Sequence, residues 1–313
     1  MLRYIIQRFI GMIVVMFLVV TIVFIIVRVT PGDPAAVMLG PEATEADIVQ
    51  LRARLGLDQP LVVQYAYYIG QLLKGDLGQS IFLNQPVLTA LGDRAEPTFF
   101  LTLFSIVIAC VIALPIGIYA AYRRGSFIDQ AATTLAMLAA SIPSFWLGLI
   151  LMQIFAVRFG WFPVSGYGGP DADFLDRMWH LSLPACALGL VSSALILRFT
   201  RASMLDVLSD DYVRTARAKG LNEKRVILKH ALKNALIPII TVIGLTMAVL
   251  ISGAVVTETV FGLPGVGNLV VSAVLRRDYP VIQGALLIIA ALYVLINFAI
   301  DMFYLLVDPR VRY

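Results

Sequence analysis

The chain has 313 residues, 60% of them hydrophobic and only 14% charged, with a mean hydropathy of +0.88. That balance excludes a soluble globular domain and predicts one integrated multi-pass membrane domain. A formal net charge of +4 does not point to nucleic acid when most cations sit between hydrophobic runs. Cys110 and Cys186 fall inside apolar runs and His180 and His230 stand far apart, so neither a disulfide framework nor a metal site is expected.

Arg3 and Arg8 precede a run that is apolar from Phe9 to Val27, close to the roughly 20 residues a helix needs to cross a bilayer. A signal peptide would have a shorter apolar core and a small-residue cleavage site. This run ends Arg28-Val29-Thr30-Pro31, so residues 1–30 are expected to be an uncleaved first span. Residues 31–97 turn polar, with Pro31-Gly32-Asp33-Pro34 as a rigid exit from the membrane. Thr44 with Asp47 opens one helix that Gly56 ends; Pro60 opens another that Gly75 closes. The expectation is an extra folded periplasmic segment after helix 1, which either caps the bundle or touches solute.

Five more spans are predicted, roughly 99–122, 132–157, 181–199, 236–257 and 281–306, within a main transmembrane domain of residues 98–307. Pro115, Pro143, Gly148, Pro184, Gly244 and Gly253 lie in them, tolerated because neighbouring helices can satisfy freed backbone groups. Trp161, Tyr167 and Trp179 suit an interfacial belt on the outer side. With the N-terminus inside, the cytoplasm receives Arg3, Arg8, Arg123, Arg124, nine cations between 198 and 233, and Arg310 and Arg312, fifteen of the 24 Lys and Arg. Six spans bring the C-terminus back to the same side.

The longest polar stretch of the second half runs from 198 to 233. Ser209 is placed to cap a helix with Asp210 and Asp211 in its first turn and Arg217 and Lys219 in its last, the charge order a helix dipole favours. Gly220 stops it, and Asn222 caps a second helix with Leu228, Leu232, Ala235 and Ile239 at helical spacing. On these residues alone, two readings stand: a basic loop retained in the cytoplasm, or a short helix shaped for a groove on another protein.

The run Tyr212-Val213-Arg214-Thr215-Ala216-Arg217-Ala218-Lys219-Gly220-Leu221 resembles the coupling loop of permease subunits in binding-protein-dependent ABC importers, in the peptide, nickel and glutathione branch. Against the family pattern Glu-Ala-Ala-x-x-x-Gly with a later Leu-Pro, Ala216 and Gly220 match, while Arg214 and Thr215 stand where Glu and the first Ala would. Leu232 holds the leucine position, Lys233 replaces the proline, and Pro238 comes five residues late. Thr30-Pro31-Gly32-Asp33-Pro34 and the run Thr257-Glu258-Thr259-Val260-Phe261-Gly262-Leu263-Pro264-Gly265-Val266-Gly267 also resemble the peptide permeases.

The resemblance implies an all-α membrane protein with six transmembrane helices and the type I ABC importer permease fold, methionine-importer-like. It implies a multi-pass subunit of the bacterial inner membrane with both termini cytoplasmic, importing di- or oligopeptides or similar small solutes. A nickel or glutathione importer is the alternative within the family. Arg214, Thr215, Ala216, Arg217, Ala218, Lys219 and Gly220, inside a cytoplasmic loop 200–235, become the candidate contact with the ATPase. The implied partners are a homologous second permease, two cytoplasmic ATPases that bind ATP and Mg, and a periplasmic or lipid-anchored solute-binding protein.

No Gly-x-x-x-x-Gly-Lys-Ser/Thr, His-Glu-x-x-His or Gly-x-Ser-x-Gly run occurs, so the chain is expected to bind no cofactor and catalyse no covalent reaction. Glu258 and Asp301 are the notable carboxylates in the predicted spans. Either they reach headgroups from the span ends, or Glu258 supports a gate or lines a path beside Gly262, Pro264 and Gly265. An ion-coupled secondary transporter, the alternative of another class, would have carboxylates nearer mid-membrane and internal repeats.

Overall fold

A computed structural model describes residues 2–29, 34–40, 43–54, 56–169 and 171–307. Among them the regular structure is helical, with one isolated bridge between Gln79 and Pro86. In order come α1 (Leu2–Val29), α2 (Pro34–Leu39), α3 (Glu45–Arg54), α4 (Leu61–Leu73), α5 (Val87–Gly92), α6 (Ala95–Tyr122) and α7 (Phe127–Ser141). Then follow α8 (Ser144–Leu151), α9 (Phe174–Leu208), α10 (Asp211–Ala218), α11 (Glu223–Arg225), α12 (Leu232–Val260), α13 (Val266–Arg276) and α14 (Tyr279–Val307). Two π-helical stretches, Met152–Arg158 and Val226–Ala231, extend α8 and lead into α12.

Five helical stretches are long and apolar enough to span a membrane, and counting the bent pair α7–α8 as one span gives six. The third span, expected over 132–157 with Pro143 inside it, is sharply broken: α7 and α8 meet at 96°. The cause is Pro143, whose ring keeps Ile142 out of helical geometry, at ψ 125°. The fourth runs well beyond 181–199 at both ends. Asp173 caps its start by accepting the Asp176 N–H at 2.8 Å, and the helix carries on past Arg198 and Arg201 to Leu208.

The core is the close pairing of α6, α9 and α12, buried around Leu101, Leu181, Ile196 and Ile239. Glycines set the distance. A Cβ on Gly117 would stand 2.9 Å from Thr200, and one on Gly189 would stand 2.9 Å from both Ile108 and the Ser105 carbonyl. Without a hydrophobic drive between helices in lipid, such backbone approach and its dispersion contacts hold the bundle. By contrast α1 is apolar all round, and most of its described side chains are exposed. It lies against α14, where Arg8 pairs with Asp301 at 3.3 Å.

The segment after α1 is folded by the signals legible in it. Thr44 and Asp47 exchange bonds, with the Asp47 N–H donating to Thr44 Oγ1 (3.3 Å) and the Thr44 N–H to Asp47 Oδ2 (3.2 Å). Gly56 and Gly75 take positive φ, and Pro60 stands before α4. Val87, Ala90 and Leu91 of α5 pack on Leu269, Val281 and Ala285, which roots this segment on α13 and α14. Buried Asp278 ties the joint, accepting from Ser80 Oγ at 2.6 Å and from the N–H groups of Ile81 and Phe82. The predicted exit Thr30 to Asp33 and the cations Arg310 and Arg312 lie outside the described residues.

Candidate functional site

At one end of the bundle, α9 and α12 are joined by a hairpin built from α10 and α11. Ser209 is not its opening cap; it ends α9, its hydroxyl bonded to the Asp206 carbonyl (2.7 Å), and Asp210 takes the cap position of α10. Gly220 reverses the backbone at φ +77°, and Asn222 caps α11 by accepting the Lys224 N–H at 3.0 Å.

The hairpin has two faces. Val213 (0% exposed) and Ala216 (7%) sit on Val226 beside Val207, Leu208 and Leu221, so Ala216 faces its own chain. Arg214, Thr215, Arg217, Ala218, Lys219 and Gly220 are exposed. Six of the seven residues singled out by sequence thus form one free face, and the seventh seats it. Asn234 Nδ2 donates to the Tyr212 hydroxyl (2.7 Å) and Arg217 Nε to Glu223 Oε1 (2.9 Å), fastening the hairpin to α12 and to itself.

The apolar register expected from Leu228 is shifted. Leu228 is 58% exposed, whereas Ile227, Ala231, Ala235 and Ile239 are buried. The π-helical stretch Val226–Ala231 accounts for this: its wider turn takes an extra residue and rotates what precedes it relative to a regular helix.

Close to the same end lies a part-buried ion pair that sequence reasoning missed. Arg201 on α9 grips Asp129 on α7 with Nε on one carboxylate oxygen and Nη2 on the other, the latter at 2.8 Å. Asp129, 3% exposed, also accepts the Gly125 N–H at 2.9 Å, and Ser126 caps α7. The Ser126-x-x-Asp129 spacing is legible as a cap. Nothing in the sequence reveals that the carboxylate's partner is 72 residues away.

The opposite end holds the second group of candidates. Glu258, on the last turns of α12, is 0% exposed, so the headgroup alternative fails for it. Its Oε1 accepts from Thr98 Oγ1 on α6 (2.6 Å), and its Oε2 accepts the Asn268 N–H (3.0 Å), with the Gly267 N–H also bonded to the carboxylate. A carboxylate therefore closes the N-terminus of α13, where orphan amides and the helix dipole favour negative charge. Thr98 Oγ1 in turn accepts the Val266 N–H at 2.9 Å, so α6, α12 and α13 share one buried junction.

Gly265 belongs to this junction, since any Cβ there would overlap the Glu258 carboxylate. Gly262 turns the chain at φ +60°, and Gly262 and Pro264 are exposed. The four candidates thus divide into a buried pair in contact and an exposed pair on the turn. Against them lies the 159–173 loop: the Gly166 N–H donates to the Phe261 carbonyl at 2.9 Å. Tyr167 and Arg177 both reach Glu96, at 3.1 and 3.0 Å. Burial, with Glu96 beside it, pushes the Tyr167 phenol up to about 12, so it remains a donor.

Residues 113–313 match the family described as binding-protein-dependent transport system inner membrane component, and residues 1–102 match its N-terminal companion family. The chain is 45% identical over 310 residues to the probable peptide ABC transporter permease protein y4tP of Sinorhizobium fredii, 99% of each. It is 44% identical over 313 residues, the whole of both chains, to the glutathione transport system permease protein GsiC of Escherichia coli O6:H1. Among solved structures, an inward-facing form of the MetNI methionine ABC transporter aligns with TM-score 0.58 and 20% identity, over 71% of this chain and 97% of that one. That likeness establishes the fold.

Proposed function

This chain belongs to the family of inner membrane components of binding-protein-dependent transport systems, and from that premise we propose that it is the permease subunit of an ATP-driven importer of di- or oligopeptides or similar small solutes. Glutathione is the second reading, favoured by the full-length match to GsiC. ATP and Mg are handled by two cytoplasmic ATPases, and a second permease and an external solute-binding protein complete the assembly. Residues 1–30 form the first span, 31–97 a periplasmic segment, and 98–307 the transmembrane domain with its cytoplasmic loop 200–235. Both termini face the cytoplasm.

The observation that carries the reading is the two-faced hairpin. Its exposed row Arg214, Thr215, Arg217 and Ala218 stands on a seat rooted in α9 and α12, so force applied to it reaches the two core helices directly. In this reading ATP-driven closure of the ATPases moves the hairpins, and the junction around Glu258, Gly262, Pro264 and Gly265 holds the opposite mouth of the path. The test separates face from seat. Ala218→Glu with Arg214→Glu alters the free face only, and should cut ATPase co-purification by roughly 30-fold, the order expected for about 2 kcal/mol at a contact centre. Thermal stability of the permease should be unchanged. Full ATPase recruitment and full solute-stimulated hydrolysis in that variant would end the proposal.

A further inference from the structure

The side chains of α7 divide around its axis into three sectors. Each residue of the helix advances about 100°, so Asp129, Ala132 and Ala136 share one side, and these are the residues the bundle buries. Phe127, Leu135 and Leu138 share a second side, exposed and apolar, of the kind that meets lipid. Gln130, Thr134 and Ser141 form the third, within about 40° of one another by the same winding, with Met137 beside them. All four are exposed.

An exposed polar row on a membrane span needs water or protein against it. Hydroxyls that face hydrocarbon turn back onto their own helix, as Thr133 does onto the Asp129 carbonyl (2.8 Å) and Ser141 onto that of Met137 (3.0 Å). The Thr134 hydroxyl and the Gln130 side-chain amide have no partner among the described residues. The row then runs into the break. About 18 Å of helix separates Ser141 from Asp129, and the exposed Arg123 and Arg124 just before α7 mark the membrane surface, so the break falls inside a hydrocarbon core of about 30 Å. There Ser141 and Pro143 are exposed and α8 opens without a side-chain cap. The Leu147 N–H donates to the Pro143 carbonyl (3.1 Å), whereas the N–H groups of Ser144, Phe145 and Trp146 find no acceptor among the described residues. Unwound backbone at membrane depth persists only inside protein or beside water.

We propose that the row of Gln130, Thr134 and Ser141, with the break that follows it, is a wall of the solute path, wetted from the Asp129 end of α7 up to α8. Water is the better cover than a packed partner helix. Helices that pack in lipid approach through small residues, and this row carries Gln130 and Met137, long side chains that hold a neighbour off. The row bears no formal charge, so it wets the path without selecting the sign of a solute's charge. That the water carries solute rests on the import reading proposed above; that the row faces water does not.

The intact transporter, purified through this chain with Cys110 and Cys186 replaced by alanine, is placed in lipid nanodiscs, where both membrane faces are open to reagent. Single cysteines stand at Gln130, Thr134 or Ser141 on the row and at Leu135 or Leu138 on the apolar face. A charged methanethiosulfonate attacks the thiolate, which forms where water reaches, so the row should react roughly 10-fold or more faster than Leu135→Cys and Leu138→Cys, with or without ATP. In proteoliposomes supplied with ATP and the binding protein, uptake of radiolabelled trialanine should be lost once Thr134→Cys is labelled, with the ATPase subunits still co-purifying. If Thr134→Cys and Ser141→Cys react as slowly as the leucine positions, a packed partner covers the row and the proposal is overturned. Equally fast reaction on both faces overturns it too, as does a labelled Thr134→Cys protein that imports trialanine at the unlabelled rate. Unlabelled transporter that imports no trialanine counts against the peptide reading alone, and the labelling contrast still decides the wall.

Discussion

Glu258→Gln is the substitution that most directly tests the junction at the end of α12. The side chain keeps its length, and membrane insertion should be unaffected. In the native junction both carboxylate oxygens act only as acceptors, from Thr98 Oγ1, the Asn268 N–H and the Gly267 N–H. An amide retains one acceptor oxygen and turns an NH2 towards a group that was a donor. If its oxygen serves the backbone amides, the Thr98 hydroxyl must give up its proton's partner while still accepting from Val266. Charge-assisted bonds contribute about 1.5–3 kcal/mol and neutral ones about 1, so three weakened bonds and a lost dipole interaction amount to roughly 3 kcal/mol. Amide hydrogen exchange at Val266, Gly267 and Asn268 reads this directly, and local opening should rise by roughly 100-fold. Thermal stability should fall as well, and Glu258→Leu should be worse. Exchange at those three amides within about 3-fold of wild type, with unchanged thermal stability, would refute the capping argument.

Gly220→Val forces a β-branched residue to φ +77°, and should destabilise the hairpin by about 1–3 kcal/mol, seen as protease cleavage near residue 220 while the spans stay intact. Asp129→Asn or Arg201→Met strands half of a part-buried pair and should cost about 2 kcal/mol; the double change Asp129→Leu with Arg201→Met should cost less than either single change, and equal costs in a thermal-denaturation cycle would contradict that. Labelling of single cysteines in intact cells by a reagent excluded from the cytoplasm should modify a cysteine at Glu45 and spare one at Asn222. The reverse pattern would invert the topology proposed above.

Signals are legible where the physics is local. The Thr44–Asp47 exchange, the Asn222 cap and the reversal at Gly220 each depend on a few consecutive residues, and each is present. Ser209 ends α9 instead of opening α10 because a polar residue beside two aspartates fits the last turn of one helix as well as the first of the next. Leu228 failed because a π-helical stretch breaks the period on which apolar spacing is counted. The 96° break needed a judgement the residues before Pro143 do not force, since Pro115, Pro184 and Pro238 all stand inside continuous helices. Thr98 and Glu258 are 160 residues apart, and Asp129 and Arg201 72 apart. Such pairs exist only once the bundle has assembled, so no window along the chain contains them.

The π-helical stretch between α11 and α12 makes the direction in which the hairpin points a matter of residue count. Each residue of an α-helix advances about 100° around the axis. Removing one residue between Asn222 and Ala235, and so restoring a regular winding, would swing everything before it by about that angle. Val213, Ala216 and Val226 would travel together and leave Val207 and Leu208 of α9, and the cationic row would turn towards a different compass bearing around the bundle. Two chains could therefore share every exposed residue of this hairpin and still present it to different neighbours, if their joints differed by a single position. The spacing of the joint, as much as the residues on its free face, is what a docking partner would read.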